Sequence, residues 1–269
     1  MFGIFKQKKR AAKLSHESVY HIEMSDVHIM LGGKQILRGM DLQIRHGETF
    51  VILGLSGAGK SVTIKNMIGL LKPDEGRILI NGLDITKLNK TQWYESMKQF
   101  GYLFQSGALL NWITIAENVA LPLTELTNYS DDEIEKRVYE KLELVGLAEH
   151  GDKYPSEVSG GMRKRAGLAR AIVREPDILL YDEPTSGLDP VMSRQVDKLI
   201  NKLANELGIT SIVVTHDMES AFACGDKIGF LYQGRMLEVG TPEQIRNSQN
   251  EIVKAFVQGG YTDSDVLQY

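Results

Sequence analysis

The sequence predicts an α/β chain built on a mainly parallel sheet, and three features predict it. Short apolar runs alternate with helical patterns along most of the chain, as expected when helices cover both faces of such a sheet. One run, "TFVILGL" (49–55), is uncharged and ends at glycine, as a strand buried on both faces should. A glycine-rich stretch follows it directly and opens a helical pattern, which places backbone N–H groups at a helix start, where anions bind.

In chain order, residues 1–17 read as a basic tail. "MFGIFKQKKR" has apolar Met1, Phe2, Ile4 and Phe5, then Lys6, Lys8, Lys9 and Arg10, without the long apolar region of a secretory signal. Two readings stand: a solvated tail, or weak adhesion of Phe2, Ile4 and Phe5 to a membrane surface, assisted by the basic cluster. "HIEMSDVHIML" and "MDLQI" then read as short strands around "GGKQ", before the run at 49–55. "KSVTIKNMIGLL" has helical spacing, "KPDEG" is a turn, and "RILINGLDI" reads as a strand. Residues 106–165 are mostly helical and interrupt the alternation; within them Ser130 caps a helix over 130–150. From 176 the alternation resumes with "PDILLYDEP", "VMSRQVDKLINKLANELG", "ITSIVVTHD", "MESAFACG" and "KIGFLYQGRMLEVG". The organisation expected is a domain over 18–245 with a helical subdomain at about 106–165, and an extension over 246–269.

Composition narrows the classes. The 269 residues are 42% hydrophobic and 25% charged, ordinary for a globular protein of one large domain or a core with a subdomain. A net charge of −4 argues against general nucleic-acid affinity. The single cysteine, Cys224, forms no internal disulfide and fits a reducing compartment as a buried thiol. No apolar run approaches a membrane span, so the chain is expected to be soluble or peripheral.

The chemistry begins at Gly54, Leu55, Ser56, Gly57, Ala58, Gly59, Lys60 and Ser61, with Val62 in the helix behind them. This is G-x-x-x-x-G-K-[ST] between a strand and a helix. Its N–H groups wrap phosphate oxygens, Lys60 reaches the β- and γ-phosphates, and the Ser61 hydroxyl is placed to ligate Mg²⁺. The pattern reads as binding a nucleoside triphosphate. Such a loop needs a carboxylate at a neighbouring strand end, and "ILLYDE" supplies Asp182 for the Mg²⁺ shell and Glu183 to polarise water. His216 ends the next strand as a γ-phosphate sensor. Gln105, after another strand-like run, offers its amide to Mg²⁺ or the attacking water. A second anion site stands far from the first: Ser159, Gly160 and Gly161 open a basic helix, "VSGGMRKRAGLARAI".

Together these six elements, including "SGLD" (186–189), resemble the ATPase subunits of ABC transporters over roughly residues 20–245. The resemblance implies a P-loop NTPase (RecA-like) core with an inserted helical subdomain, and ATP with Mg²⁺ as ligands. It implies a homodimer paired head to tail, in which Ser159, Gly160 and Gly161 of each copy cap the nucleotide held by the other copy's loop. Two positions depart from the family. Met162 stands where most members have Gln, and Leu31 stands where an aromatic usually stacks on adenine, so adenine would pack on an aliphatic face.

"FQSGALL" (104–110) with "SGGMRKRAGLARAI" is similar to the ATPase subunits of MCE-associated phospholipid transporters of the Mla type. That likeness implies an integral-membrane permease, an MCE lipid-binding protein, a small STAS-domain partner and a place on the cytoplasmic face of the bacterial inner membrane. Permease contact would fall near Leu109–Ile115, where Trp112 is either interface or ordinary core. A polar-solute importer subunit and a soluble ABC protein of translation or repair are the alternatives; the last commonly has two motor halves or a long insertion, absent here. At the C-terminus, Ile252, Val253, Phe256 and Val257 share one helical face, ended by Gly259-Gly260. Tyr261, Val266, Leu267 and Tyr269 are expected to dock on the chain's own core, on the dimer mate or on a small partner.

Overall fold

The computed structural model describes residues 19–259. The basic tail and the apolar residues from Tyr261 onward lie outside the described residues.

Two-residue turns shape the first sheet. β1 (Tyr20–Leu31) and β2 (Lys34–Arg45) pair antiparallel from Leu31↔Lys34 to Tyr20↔Arg45. Gly32 and Gly33 between them both have positive φ, 57° and 77°. Two positive φ values in succession mark a type I′ hairpin, whose twist suits antiparallel strands. The second strand is therefore much longer than "MDLQI", and Lys34-Gln35 belongs to it rather than to the turn. β3 (Thr49–Leu53) follows, then α1 (Lys60–Met67), shorter than expected because Gly69 turns the chain with φ 64°. The expected strand "RILINGLDI" is two strands, β4 (Glu75–Ile80) and β5 (Leu83–Asp84), split at Asn81-Gly82 with φ 51° and 75°. These strands form a four-stranded antiparallel sheet in the order β2-β1-β4-β5. Reading the strands singly left that sheet out.

The second sheet carries the parallel core. After α2 (Lys90–Met97) come β6 (Phe100–Leu103), β7 (Ile178–Asp182), β8 (Thr210–Thr215), β9 (Lys227–Tyr232) and β10 (Arg235–Gly240). The order is β10-β9-β3-β8-β7-β6, parallel throughout except for β9 with β10. "KIGFLYQGRMLEVG", read as one element, is again a hairpin, turning at Gln233-Gly234 with φ 46° and 78°.

Alternation along β3 shows why this sheet is buried on both faces. Phe50 and Ile52 point into a core shared with the antiparallel sheet, among Ile22, Met40, Ile64 and Leu180. Val51 and Leu53 point the other way, among Val119, Leu168, Tyr181 and Phe230. That second core is covered by α3 (Ile115–Leu126), α4 (Asp131–Leu144) and α5 (Gly160–Ile172). Ser130 caps α4 as expected, accepting from Glu133 N at 3.4 Å, but the helix stops at Leu144 because Gly146 adopts φ 70°. α6 (Pro190–Leu207) and α7 (Met218–Cys224) connect the last parallel strands, and Cys224 is buried.

Beyond α8 (Pro242–Arg246), α9 (Glu251–Val257) is held by the face expected of it. Val253 is fully buried and Phe256 nearly so, its ring edge-on to Phe230 at 5.0 Å between centroids. Truncating a buried Phe removes both transfer energy and packing, so Phe256→Ala should cost about 3–5 kcal/mol. Urea unfolding of the full chain checks this; a midpoint indistinguishable from wild type would mean that α9 adds nothing to this core.

Candidate functional site

Strand register assembles the site. Leu53 pairs with Thr215, Asp182 with Val214, and Leu103 with Tyr181. The residues just beyond these strands, Gly54, His216, Glu183 and Gln105, therefore emerge along one edge of the parallel sheet. This is the edge where ligands bind in open α/β sheets.

The loop at 54–61 has the form of an anion cradle. Gly54 passes so close to β9 that an added Cβ would strike the Leu231 carbonyl oxygen. Gly59 starts α1 at φ 108° and gives it no side-chain cap. The first-turn N–H groups of α1 thus have no capping side chain, and the positive end of the helix dipole stands behind them. The β9–β10 turn braces the loop, with Gly234 N donating to Ala58 O at 3.2 Å. Lys60 is buried, and its ammonium donates to Gly54 O at 2.9 Å and Leu55 O at 3.1 Å.

Two carboxylates face this loop. Ser61 Oγ donates to Asp182 Oδ1 at 3.1 Å, and Tyr102 OH donates to Asp182 Oδ2 at 3.0 Å. Burial, then the Asp182 charge, raises the Tyr102 pKa, so the phenol stays a donor. Glu183 is 9% exposed and lies at φ 50°, a left-handed conformation uncommon for a residue with a side chain. His216 Nδ1 sits 2.8 Å from its Oε2, and Lys60 Nζ sits 3.5 Å from its Oε1. A carboxylate so held can orient a water molecule and take its proton. The oxygens of Ser61 and Asp182 are hard donors, a set that suits Mg²⁺ completed by phosphate oxygens and water.

Gln105 reaches the same region, its amide donating to Ser186 Oγ at 3.3 Å. Ser159, Gly160 and Gly161 do not: among the described residues no hydrogen bond joins them to the 54–61 loop. Ser159 caps α5, its Oγ accepting from Met162 N at 3.2 Å, which leaves its hydroxyl proton for an anion. Gly160 and Gly161 instead lie against Leu188 and Met192. Leu31 ends β1 at the hairpin tip and is 40% exposed, on the antiparallel sheet rather than on the loop itself.

Three neighbours of the site were not singled out from the sequence. Tyr102 braces Asp182 from β6. Arg170 holds the carbonyls of Gly107 and Ala108 at 2.8 and 2.7 Å. Lys164 donates to the carbonyls of Glu183 and Ser186. The Lys164 contact had a readable signal, because Gly161, Lys164, Leu168 and Ile172 follow helical spacing and put a lysine inside a buried stripe.

The family model described as "ABC transporter" matches residues 37–186. The chain is 42% identical over 238 residues to the probable ribonucleotide transport ATP-binding protein mkl of Mycobacterium leprae, covering 88% of this chain and 69% of that protein. Against the intermembrane phospholipid transport system ATP-binding protein MlaF of Haemophilus influenzae, identity is 40% over 238 residues, covering 88% of this chain and 90% of that protein. The methionine import ATP-binding protein MetN of Carboxydothermus hydrogenoformans is 40% identical over 240 residues, covering 88% of this chain and 71% of its own. The dimeric cassette MJ0796, solved in a post-hydrolysis state with ADP and Pi, superposes with a TM-score of 0.74 at 31% identity. That likeness covers 82% of this chain and 98% of the solved one.

Proposed function

This chain belongs to the ABC transporter family as an ATP-binding ATPase subunit, and from that premise we propose that it drives phospholipid transport between membranes. The observation that carries the lipid reading is the MlaF likeness, which spans 90% of that protein, together with Met162 in "SGGMRKR". The proposed assembly is a homodimer on an integral-membrane permease, with an MCE lipid-binding protein and a small STAS-domain protein. Its place is peripheral, on the cytoplasmic face of the inner membrane. No helix among the described residues is long and apolar enough to cross a membrane. Trp112 is 74% exposed and Phe104 46% exposed, which favours a protein contact near Leu109–Ile115 over ordinary core packing there. The MetN likeness supports a second reading, an importer of a polar solute, but spans less of that relative, 71%.

In the proposed chemistry, the 54–61 loop and Lys60 hold the triphosphate. Ser61, Asp182 and Gln105 would hold Mg²⁺, which would supply positive charge against the phosphate oxygens. Glu183 orients the attacking water and accepts its proton, while His216 fixes one carboxylate oxygen and senses the γ-phosphate. Ser159 and the N–H groups of Gly160 and Gly161 complete the other copy's site, because hydrolysis needs charge stabilisation on both sides of the γ-phosphate. A chain with one set of these elements then needs a second copy.

Glu183→Gln should abolish turnover and leave ATP binding largely intact, because an amide cannot accept the proton. The variant should accumulate an ATP-bound dimer; steady-state hydrolysis within about twofold of wild type would remove Glu183 from the role. Mixing Lys60→Ala with Ser159→Arg chains, each inactive alone, should restore one working site built from the intact loop of one and the intact Ser159 of the other. Recovery in monomeric protein would contradict the shared site. For the substrate, a pull-down from detergent-solubilised membranes, with mass spectrometry of proteins and lipids, should yield a permease and bound phospholipid. A permease with a solute-binding protein and no lipid would favour the importer.

A further inference from the structure

Lys164 lies on the buried stripe of α5 with 6% of its surface exposed. Its ammonium donates to Glu183 O at 3.1 Å and to Ser186 O at 2.7 Å. Burial pulls its pKa down to about 8, against the opposing pull of the Glu183 charge. Lysines are almost never buried this deeply unless their donors are paired, so this one is committed to those carbonyls.

The two carbonyls belong to the backbone that aims Glu183. Glu183 N donates to Val214 O at 2.9 Å, and Glu183 O also accepts from Ser186 N at 3.2 Å. With φ at 50°, the residue is held by its surroundings rather than by its own preference. The far end of α5 is tied down too, through Arg170 to the Gly107 and Ala108 carbonyls. Gln105 closes the circuit on Ser186 Oγ at 3.3 Å. One helix therefore holds the backbone on both flanks of the site, and Lys164 is the side chain that links it to Glu183.

We infer that Lys164 is a positioning residue, which converts the placement of α5 into the orientation of the Glu183 carboxylate in the same chain. Taken with the shared-site reading proposed above, on which this part rests, the inference links the two sites of a dimer. The N-terminus of α5 meets the other copy's nucleotide, so its seating there sets, through Lys164, the carboxylate that serves its own chain's nucleotide.

The test compares Lys164→Met, similar in length but without donors, and Lys164→Gln, which keeps an N–H donor, in the full chain. Lys164→Met should lower kcat for ATP by about tenfold to a hundredfold, the scale of a small misplacement of a reacting group. KM for ATP should stay within about twofold, the split expected when transition-state rather than ground-state contacts are lost. Lys164→Gln should regain part of kcat, and the Hill coefficient for ATP should fall toward one in Lys164→Met. Wild-type kcat in Lys164→Met, while the wild-type chain dimerises with ATP, would overturn the positioning role and leave the shared site standing. So would a loss of kcat that merely tracks the melting temperature, with Lys164→Gln no better than Lys164→Met. A wild-type chain that hydrolyses ATP as a monomer without cooperativity would overturn the link between sites, whatever kcat the variants show.

Discussion

The parallel pairing of β3 with β8, and of β8 with β7, is the constraint on which the site depends. Leu53, Thr215 and Asp182 reach the end of their strands together because the register is fixed by both cores at once. A one-residue slip of β8 would turn Ile212 and Val214 out of the core beneath the antiparallel sheet and carry Val213 into it. The same slip would move His216 off the level of Glu183. The hydrophobic pattern that folds the sheet thus also sets the spacing of the polar groups above it.

That dependence explains which parts of the site were legible in the sequence. The 54–61 loop, Asp182-Glu183 and His216 each announce themselves locally, because their chemistry demands particular residues directly after a strand. The hairpins were written just as locally, in Gly32-Gly33, Asn81-Gly82 and Gln233-Gly234. The first separates two strands in the sequence as it does in the fold, but apolar residues continue on both sides of the other two, and a run such as "RILINGLDI" reads as one strand unless its Asn-Gly is given weight. The strand pairing of the antiparallel sheet is not legible from single strands; its β2 packs Leu37 against Gly59 and so braces the loop from above.

Tyr102 was hidden for a different reason. It is eighty residues from Asp182, and only the pairing of β6 with β7 brings it to 3.0 Å. Nothing in "FGYLFQ" distinguishes a tyrosine facing a carboxylate from one facing the core. Lys164 lies between these cases. Its helical spacing marks it as buried, but the acceptors that make burial tolerable lie on a turn whose place depends on the sheet. Periodicity can reveal that a charged residue is inside; only the register shows what it touches.

Glu183 gathers these constraints into one residue. Its N–H is fixed on β8, its carbonyl on Lys164 and Ser186, and its carboxylate between His216 and Lys60. A non-glycine residue held in the left-handed region costs on the order of 1–3 kcal/mol, and none of these contacts relieves that cost by itself. They come from four places in the fold: β8 with the residue that follows it, α5, the turn after β7, and α1. The left-handed backbone at Glu183 is therefore held from all four at once. A residue restrained in this way is suited to report the arrangement of the whole site, and a motor subunit has use for a group whose aim depends on its neighbours being seated.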